Sequence, residues 1–218
     1  MKNIIMIGPQ GSGKGTQSDL LSSVLRIPHI AMGTLFRTEV AKRSELGKLI
    51  SSYTDRGEIV PIDVTAKVIT DRLSLPDASG GFILDGYPRT REQADLLKRV
   101  LASLGRNVTH AVYLNITDDE ALQRLSGRRV CANTACERNY HVEHHPPAVS
   151  GCCDVCGSAL MQRKDDVPEA IKRRLEIFHS ETLPLVALYR DEGVLHEIDS
   201  MHMIGEVQAA VRGATLQG

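Results

Sequence analysis

The feature that most constrains this chain is a glycine-rich loop at residues 8–16, Gly-Pro-Gln-Gly-Ser-Gly-Lys-Gly-Thr. The apolar residues 4–7 before it predict a buried strand, and the pattern that follows Lys14 predicts a helix. The backbone N–H groups of such a loop can surround a phosphate, and the helix N-terminus adds about half a positive charge. Lys14 can reach the outer phosphates, and Thr16 can place its hydroxyl near Mg²⁺ or an inner phosphate. The sequence therefore predicts a P-loop, although Gly15 stands where the general motif has Ser or Thr.

Short apolar segments alternate with helical patterns along most of the chain. The predicted strands are residues 2–8, 28–31, 82–84, 110–114 and 194–198. Five such strands separated by helices predict an α/β protein, namely a three-layer α/β/α P-loop fold with a five-stranded parallel sheet. Thr34, Thr117 and Asp166 are candidate N-cap residues for three of the helices. The helix after Asp166 is predicted to run to about Arg190, and Gly57 is a candidate helix end.

The overall composition favours a soluble protein without nucleic-acid or membrane partners. The 218 residues carry a formal net charge of −1, so the chain has no general attraction for nucleic acid or anionic lipid. No apolar run is long enough to cross a membrane, and the N-terminus leads into a predicted strand without a signal peptide. We therefore expect a cytoplasmic protein, and because nothing in the sequence requires an oligomer, we expect a monomer.

The five cysteines lie close together in the chain, which is typical of a metal site rather than a disulfide framework. Cys131 and Cys136 form one pair, and Cys153 and Cys156 form a Cys-x-x-Cys pair. Four thiolates at this spacing predict a structural Zn²⁺ site that stabilises a small subdomain. Cys152 is an alternative ligand to Cys153, and reduced cysteines without metal are the alternative to a zinc site.

A second group of candidate phosphate ligands follows the predicted strand at residues 82–84. In open parallel sheets, ligands bind beyond the carboxyl ends of the strands, so residues 85–90 belong at the same edge as the P-loop. Asp85 can organise Mg²⁺ through its water shell. Arg89 follows a Tyr-Pro pair, and its guanidinium can bind a phosphate through two hydrogen bonds.

Four motifs, taken together and in order, resemble the adenylate kinase family. They are Gly-Pro-Gln-Gly-Ser-Gly-Lys-Gly-Thr-Gln at residues 8–17, Asp-Gly-Tyr-Pro-Arg-Thr at 85–90, Gly-Arg-Arg-Val at 127–130 and Arg-Lys-Asp-Asp at 163–166. The resemblance spans the whole chain, and it accounts for Gly15, since that family places Gly and then Thr after its lysine. It implies reversible transfer of a phosphoryl group from ATP·Mg²⁺ to AMP, giving two ADP.

The resemblance also implies how the chain is divided. The core P-loop domain would comprise residues 1–31, 62–129 and 167–218, the helical acceptor-binding insertion residues 32–61, and the zinc-containing lid residues 130–166, which resemble the long lid of the bacterial-type members. A closing lid would exclude water from the phosphoryl group in transfer. The partners implied are the small nucleotides ATP, AMP and ADP.

Residue roles are implied by the positions that match the family. The residues implied for ATP are Gly11, Ser12, Gly13, Lys14, Gly15, Thr16, Arg128, Tyr140 and His202. The residues implied for AMP are Met32, Arg37, Glu58, Ile59, Val60, Gly86, Tyr87, Pro88, Arg89, Gln93, Arg163 and Arg174. The residues implied for catalysis are Lys14, Asp85, Arg89, Arg124, Arg128, Arg163 and Arg174. Positive charge suits phosphoryl transfer, because the transition state spreads negative charge over the equatorial oxygens.

One segment departs from the family pattern and leaves other functions open. The family has Thr-Gly-Asp where this chain has Met32-Gly33-Thr34. Met32 lacks the hydroxyl that would contact the acceptor base, so a kinase with another base preference is an alternative, although Gln93 favours AMP. A non-catalytic nucleotide switch or a zinc-ribbon nucleic-acid module is a further alternative. The complete acceptor site argues against the switch, and the net charge of −1 argues against nucleic acid.

Overall fold

The structure is a computed structural model that describes residues 1–56, 58–133, 136, 138–163 and 165–216. Gly57, a candidate helix end, lies outside the described residues, as does Lys164 of the Arg-Lys-Asp-Asp motif. No helix in these ranges is both long enough and apolar enough to cross a membrane.

A parallel sheet forms the centre of the protein. The strands are β1 (Lys2–Ile7), β2 (His29–Ala31), β3 (Gly81–Asp85), β4 (His110–Asn115), β5 (Arg128–Cys131), β6 (Asn139–His141), β7 (Leu160–Met161) and β8 (Leu195–Asp199). Five of them pair in the order β2-β3-β1-β4-β8, and every pairing among the five is parallel. Ile4, Ile5 and Ile7 of the central strand are buried, since both faces of the sheet are covered. The predicted five-stranded parallel sheet is confirmed.

Helices cover both faces of this sheet. They are α1 (Lys14–Leu25), α2 (Met32–Ala41), α3 (Glu45–Thr54), α4 (Ile62–Leu73), α5 (Arg91–Ser103), α6 (Asp118–Ser126), α7 (Pro168–Ile177), α8 (Pro184–Asp191) and α9 (Ile204–Leu216), with a 3₁₀ turn at Pro76–Ala78. One apolar layer packs the sheet against α4, α5 and α8, and the other packs it against α1 and α9. This is the predicted three-layer α/β/α arrangement.

The helix predicted to run from Asp166 to Arg190 is divided by a π-helical segment, Phe178–Thr182. The backbone N–H of Leu183 donates to the carbonyl oxygen of Phe178, five residues back, at 2.7 Å. Pro184 follows, and proline cannot donate a backbone hydrogen bond. The chain therefore widens for one turn before it continues as α8.

Local capping signals predict one helix start correctly and another wrongly. The Thr117 hydroxyl accepts a hydrogen bond from the backbone N–H of Glu120 at 3.3 Å, so it caps α6 as predicted. Thr34 does not cap α2, because that helix begins at Met32, directly after β2. Thr34 therefore lies inside the first helical turn, where its hydroxyl accepts a hydrogen bond from the Arg37 guanidinium.

Two smaller units complete the described structure. Strands β5, β6 and β7 form an antiparallel sheet in the order β6-β5-β7. Helices α2 and α3 pack against the start of α4 around the buried residues Ile50, Val60 and Val64. These units carry several of the predicted site residues, among them Arg37, Arg128 and Tyr140.

Candidate active site

The P-loop and Asp85 face each other at the carboxyl edge of the central sheet. Strand β1 lies between β3 and β4, and Met6 pairs with Asp85, the last residue of β3. A Cβ atom at Gly15 would lie 3.6 Å from Oδ2 of Asp85. Gly11 and Gly13 have φ angles of 87° and 85°, a backbone conformation that glycine adopts without steric strain. Strands β1 and β3 are neighbours, so Asp85 lies at the same edge of the sheet as the P-loop, as predicted.

Lys14 lies inside the P-loop. Its Nζ donates hydrogen bonds to the carbonyl oxygens of Gly8, at 2.8 Å, and Pro9, at 2.7 Å. Burial lowers the pKa of Lys14 to about 8, against the opposing effect of the Asp85 carboxylate, and nearby guanidinium groups lower it further. The ammonium charge is therefore poorly stabilised by its surroundings, and an anion bound in the loop would stabilise the charged form of Lys14.

Arg89 is fixed by the turn that follows β3. Its Nε donates to the carbonyl oxygen of Gly86 at 3.0 Å, and its backbone N–H donates to Oε1 of Gln93 at 2.8 Å. Gln93 is itself buried, and its carbonyl oxygen accepts a hydrogen bond from the Tyr87 hydroxyl at 3.2 Å. Burial lowers the pKa of Arg89, and the charge of Arg174 adds to this shift. The turn thus places one desolvated guanidinium close to another.

Arg128 and Arg174 share a buried carboxylate. The Arg128 guanidinium donates to both oxygens of Asp166, at 2.8 Å and 2.5 Å, and the Asp166 side chain has no solvent exposure. Nη1 of Arg174 lies 2.8 Å from the Asp165 carboxylate and 3.5 Å from that of Asp166. The prediction that Asp166 caps α7 is wrong, because Val167 is the N-cap and the carboxylate binds the two arginines instead.

Arg163 belongs to the same cluster of positive charge. Burial lowers the pKa of Arg163 to about 10, and the charges of Arg128 and Arg37 add to this shift. The predicted residues that the structure brings together are therefore Lys14, Arg37, Asp85, Arg89, Arg128, Arg163 and Arg174. Like charges gathered in a partly buried site repel one another, so this arrangement is typical of a binding site for anions.

Met32 borders the turn that carries Arg89. It is buried at the start of α2, and a Cβ atom at Gly86 would lie 3.9 Å from the Cβ of Met32. The turn continues through the buried side chain of Tyr87 and a cis peptide bond to Pro88. Met32 therefore lies close to Gly86, and both belong to the residues implied for AMP.

The segment that precedes α4 is connected to α7. Val60 is buried, Ile59 is partly buried, and both follow Glu58. One carboxylate oxygen of Glu58 lies 2.8 Å from Nη2 of Arg56, and the other lies 3.4 Å from Nη2 of Arg173 in α7. The ion pair between Glu58 and Arg173 connects a segment implied in acceptor binding to the helix that carries Arg174.

Arg124 lies beside the P-loop and is held by other partners. Its Nε donates to the Glu120 carboxylate at 2.6 Å, and its Nη2 donates to the carbonyl oxygen of Ser200 at 2.9 Å. The Ser200 hydroxyl in turn donates to the carbonyl oxygen of Ser12 at 2.8 Å. Its assignment to catalysis stays a prediction.

Tyr140 and His202 also have partners outside the arginine cluster. The buried Tyr140 hydroxyl accepts a hydrogen bond from the backbone N–H of Asp154 at 2.8 Å and lies 3.5 Å from Sγ of Cys153. The exposed His202 ring lies 3.5 Å from the Asp199 carboxylate. Their assignment to ATP stays a prediction.

His29 is a residue of this site that the sequence does not indicate. Its Nδ1 lies 2.7 Å from the Asp19 carboxylate, and its Nε2 lies 3.8 Å from Oδ2 of Asp85. Burial opposes the positive charge, but the hydrogen bond to Asp19 and the negative charge of the nearby Asp85 carboxylate raise the pKa of His29 to about 9. Because the three residues come from α1, β2 and β3, no local pattern in the sequence reveals the contact.

The four predicted zinc ligands, Cys131, Cys136, Cys153 and Cys156, come together in the structure, with their Sγ atoms all within 4.8 Å of one another. Two of the sulfur–sulfur distances are 3.4 Å and 3.7 Å. A tetrahedral Zn²⁺ with Zn–S bonds of about 2.3 Å places its sulfurs about 3.8 Å apart, so these thiols fit the ion. A hydrogen bond with the Tyr140 hydroxyl lowers the pKa of Cys153, whereas burial raises the pKa of Cys131. The fifth cysteine is exposed and lies outside the group.

Comparison with known proteins gives one consistent result. The sequence profile described as adenylate kinase matches residues 6–194. Similar curated proteins, each named adenylate kinase, include those of Streptomyces avermitilis, 43% identical over 94% of this chain and 92% of the relative, and Acidothermus cellulolyticus, 44% identical over 94% of each. The adenylate kinase of Clostridium botulinum is 40% identical over 94% of each chain. This chain therefore belongs to the adenylate kinase family.

Proposed function

We propose that this protein catalyses the reversible transfer of the terminal phosphoryl group of ATP·Mg²⁺ to AMP, giving two molecules of ADP. Membership of the adenylate kinase family supports this reaction. The observation that carries the proposal is that Lys14 lies within electrostatic reach of Arg89, Arg128 and Arg174, which come from three separate parts of the chain. A single donor site needs only the P-loop, whereas transfer between two bound phosphates needs positive charge between them.

ATP would bind with its outer phosphates in the P-loop. The backbone N–H groups of residues 11–16 and the N-terminus of α1 would supply hydrogen-bond donors. Lys14 would exchange its two carbonyl partners for phosphate oxygens. Asp85 would orient the water molecules of the Mg²⁺ that arrives with ATP.

AMP would bind with its phosphate between Arg37 and Arg89 and its base near Gln93. Oε1 of Gln93 already accepts a hydrogen bond from the backbone of Arg89, so the amide nitrogen is the group that Gln93 can offer to a base. Adenine presents ring nitrogens that accept such a bond. The geometry of Gln93 is therefore compatible with AMP as the acceptor.

The transferring phosphoryl group would lie among Lys14, Arg128, Arg163 and Arg174. Phosphoryl transfer needs little covalent participation by the protein, because stabilising the charge on the equatorial oxygens and aligning the two phosphates are sufficient. Asp166 supports this role, since it holds two of the guanidinium groups in fixed positions before a nucleotide binds. Groups oriented in advance do not have to reorganise during the reaction.

We assign the acceptor-binding insertion to residues 32–61, the lid to residues 130–166 and the core to residues 1–31, 62–129 and 167–218. Helices α2 and α3 fall in the assigned insertion, and β6 and β7 fall in the assigned lid. Closure of the lid over bound ATP would exclude water and so favour transfer over hydrolysis.

The acceptor base and the setting of the protein are part of the same proposal. We expect a cytoplasmic monomer that acts on nucleotides alone, in keeping with the net charge of −1. Rates of ADP formation from ATP with AMP, CMP, UMP or GMP test the acceptor. AMP is expected to be the preferred acceptor. Activity only with a pyrimidine nucleotide would show that Met32 has changed the base preference, and no transfer to any acceptor would favour a nucleotide switch.

The cysteine group is expected to hold about one zinc ion per chain, which elemental analysis of the purified protein measures. Cys152→Ser is the matched control, since Cys152 is exposed and lies outside the group, and it is expected to keep the zinc that Cys153→Ser loses. Chelation should remove hydrogen-exchange protection from residues 138–163 before it affects β1 and β4, because bound zinc contributes folding free energy to this small unit. Metal-free protein with equal protection of residues 138–163 would contradict the assignment.

The rate should depend on pH through Lys14. Because burial lowers the pKa of Lys14 to about 8 in the free protein, the ammonium form is lost above that pH. The value of kcat/KM for ATP, which reports ionisation of the free enzyme, is expected to fall about tenfold per pH unit above the pKa. Lys14→Arg should lower the rate but remove this decline, since arginine stays charged. An unchanged kcat/KM up to pH 9.5 would contradict the prediction.

A further inference from the structure

Two residues in the first turn of α2, Gly33 and Thr34, contact the guanidinium of Arg37. Nη2 of Arg37 donates a hydrogen bond to Oγ1 of Thr34 at 2.8 Å. A Cβ atom at Gly33 would lie 3.2 Å from Nη1 of the same guanidinium. Both terminal nitrogens therefore lie against consecutive residues of one helical turn, and a larger side chain at Gly33 would crowd them.

The Arg37 guanidinium held in this way lies near the cluster of positive charge. The charge of Arg37 contributes to the lowered pKa of Arg163, so the two guanidinium groups lie within electrostatic reach of each other. Arg163 is also affected by Arg128, which is bound to Asp166. The hydrogen bond that Arg37 donates to Thr34 thus holds the Arg37 guanidinium within electrostatic reach of Arg163.

A hydroxyl at this position has two physical consequences. An arginine on a partly exposed helix face has many rotamers, and fixing one of them when a ligand binds costs conformational entropy. A hydrogen bond that already restricts the guanidinium in the free protein reduces this cost. The hydroxyl of Thr34 is also neutral, so it orients Arg37 without adding negative charge beside an incoming phosphate.

We propose that Thr34 is a positioning residue for the acceptor phosphate, acting through Arg37. The proposal rests on the proposed function, since it names the residue that prepares Arg37 for AMP. It also gives a role to a position where the sequence departs from the family pattern and where the structure excludes helix capping.

Steady-state kinetics of Thr34→Val, which keeps the shape but removes the hydroxyl, test the proposal. KM for AMP is expected to rise about three- to tenfold, the effect of one hydrogen bond. KM for ATP should change less than twofold, because Thr34 has no role at the donor site. Thr34→Ser should stay within twofold of the wild type for both substrates. Thr38→Val, the same change at an exposed position of α2, is the control and should change neither KM.

A double-mutant cycle with Arg37→Met shows whether Thr34 acts through Arg37. Arg37→Met alone should lower kcat/KM for AMP about 100-fold through the loss of a charged phosphate contact. In the Arg37→Met background, Thr34→Val should have no further effect. An equal effect of Thr34→Val in both backgrounds would overturn the proposal, as would a wild-type KM for AMP or an equal rise in KM for ATP.

Equilibrium binding of AMP to the wild-type protein and to Thr34→Val separates this inference from the proposed function. If the wild type neither binds AMP nor phosphorylates it, both proposals fail. If the wild type does both and Thr34→Val binds AMP equally well, the proposed function stands and the inference about Thr34 is overturned. Weaker AMP binding by Thr34→Val with an unchanged melting temperature is the result that the inference predicts.

Discussion

Replacing Lys14 with methionine is expected to lower kcat for ADP formation by about 10³-fold, the scale seen when a preorganised donor to a transition-state oxyanion is removed. Lys14 is buried in the P-loop and lies near Asp85 and the arginine cluster, so its ammonium group is placed to contact the phosphates in transfer. The measurement is the rate of ADP formation from ATP and AMP at saturating concentrations of both.

The fold should survive this change. Methionine has a similar length, and removing a charge whose burial is unfavourable offsets the loss of the two hydrogen bonds to the loop carbonyls. The melting temperature should therefore stay within a few degrees of the wild type. Lys67→Met, at an exposed lysine of α4 that pairs with Asp71, is the control and should leave kcat unchanged. Retained turnover in Lys14→Met would contradict the role of the P-loop lysine.

Replacing Asp166 with asparagine is expected to affect both stability and rate. Its carboxylate has no solvent exposure and pairs with Arg128 through two hydrogen bonds, with Arg174 also close. Removing one partner of a buried ion pair leaves an uncompensated charge, so we expect the free energy of unfolding to fall by about 3 kcal/mol. We expect kcat to fall about 100-fold, since two guanidinium groups lose their fixed positions.

The neighbouring carboxylate provides a matched comparison for this variant. Asp165 is partly exposed, and its carboxylate lies 2.8 Å from Nη1 of Arg174. In the described part of the chain, it does not bridge Arg174 to Arg128 as Asp166 does. Asp165→Asn should therefore cause a smaller loss of both stability and kcat, which chemical denaturation and steady-state kinetics measure. A larger effect at Asp165 than at Asp166 would contradict the view that the buried carboxylate orients the cluster.

The features that the sequence predicts correctly are those that depend on local patterns. Apolar segments of strand length separated by helices are sufficient to predict the parallel sheet, because both faces of such a sheet are buried. The P-loop follows from the spacing of its glycines, and Thr117 caps α6 because its hydroxyl and the Glu120 N–H are close in the chain. The spacing of Cys131, Cys136 and the later pair predicts the thiol group for the same reason.

The features that the sequence does not predict are those set by contacts between distant segments. Asp166 has the position of a helix cap, but a partly buried guanidinium 38 residues away is a stronger partner for a carboxylate than a backbone N–H group. The start of α2 at Met32 is fixed by the end of β2, which leaves Thr34 too far inside the helix to cap it. His29 contacts Asp19 and Asp85 only because three separate elements meet at one edge of the sheet.

The most direct test of the proposed reaction is the stoichiometry of nucleotides in a mixture of the purified protein, ATP·Mg²⁺ and AMP. The account predicts that two ADP form for each AMP consumed, that ATP is stable when AMP is omitted, and that ADP·Mg²⁺ with ADP regenerates ATP and AMP. Chromatographic separation of the three nucleotides over time gives all of these quantities in one experiment. Release of inorganic phosphate from ATP at a rate independent of AMP, or no conversion at all, would contradict the account.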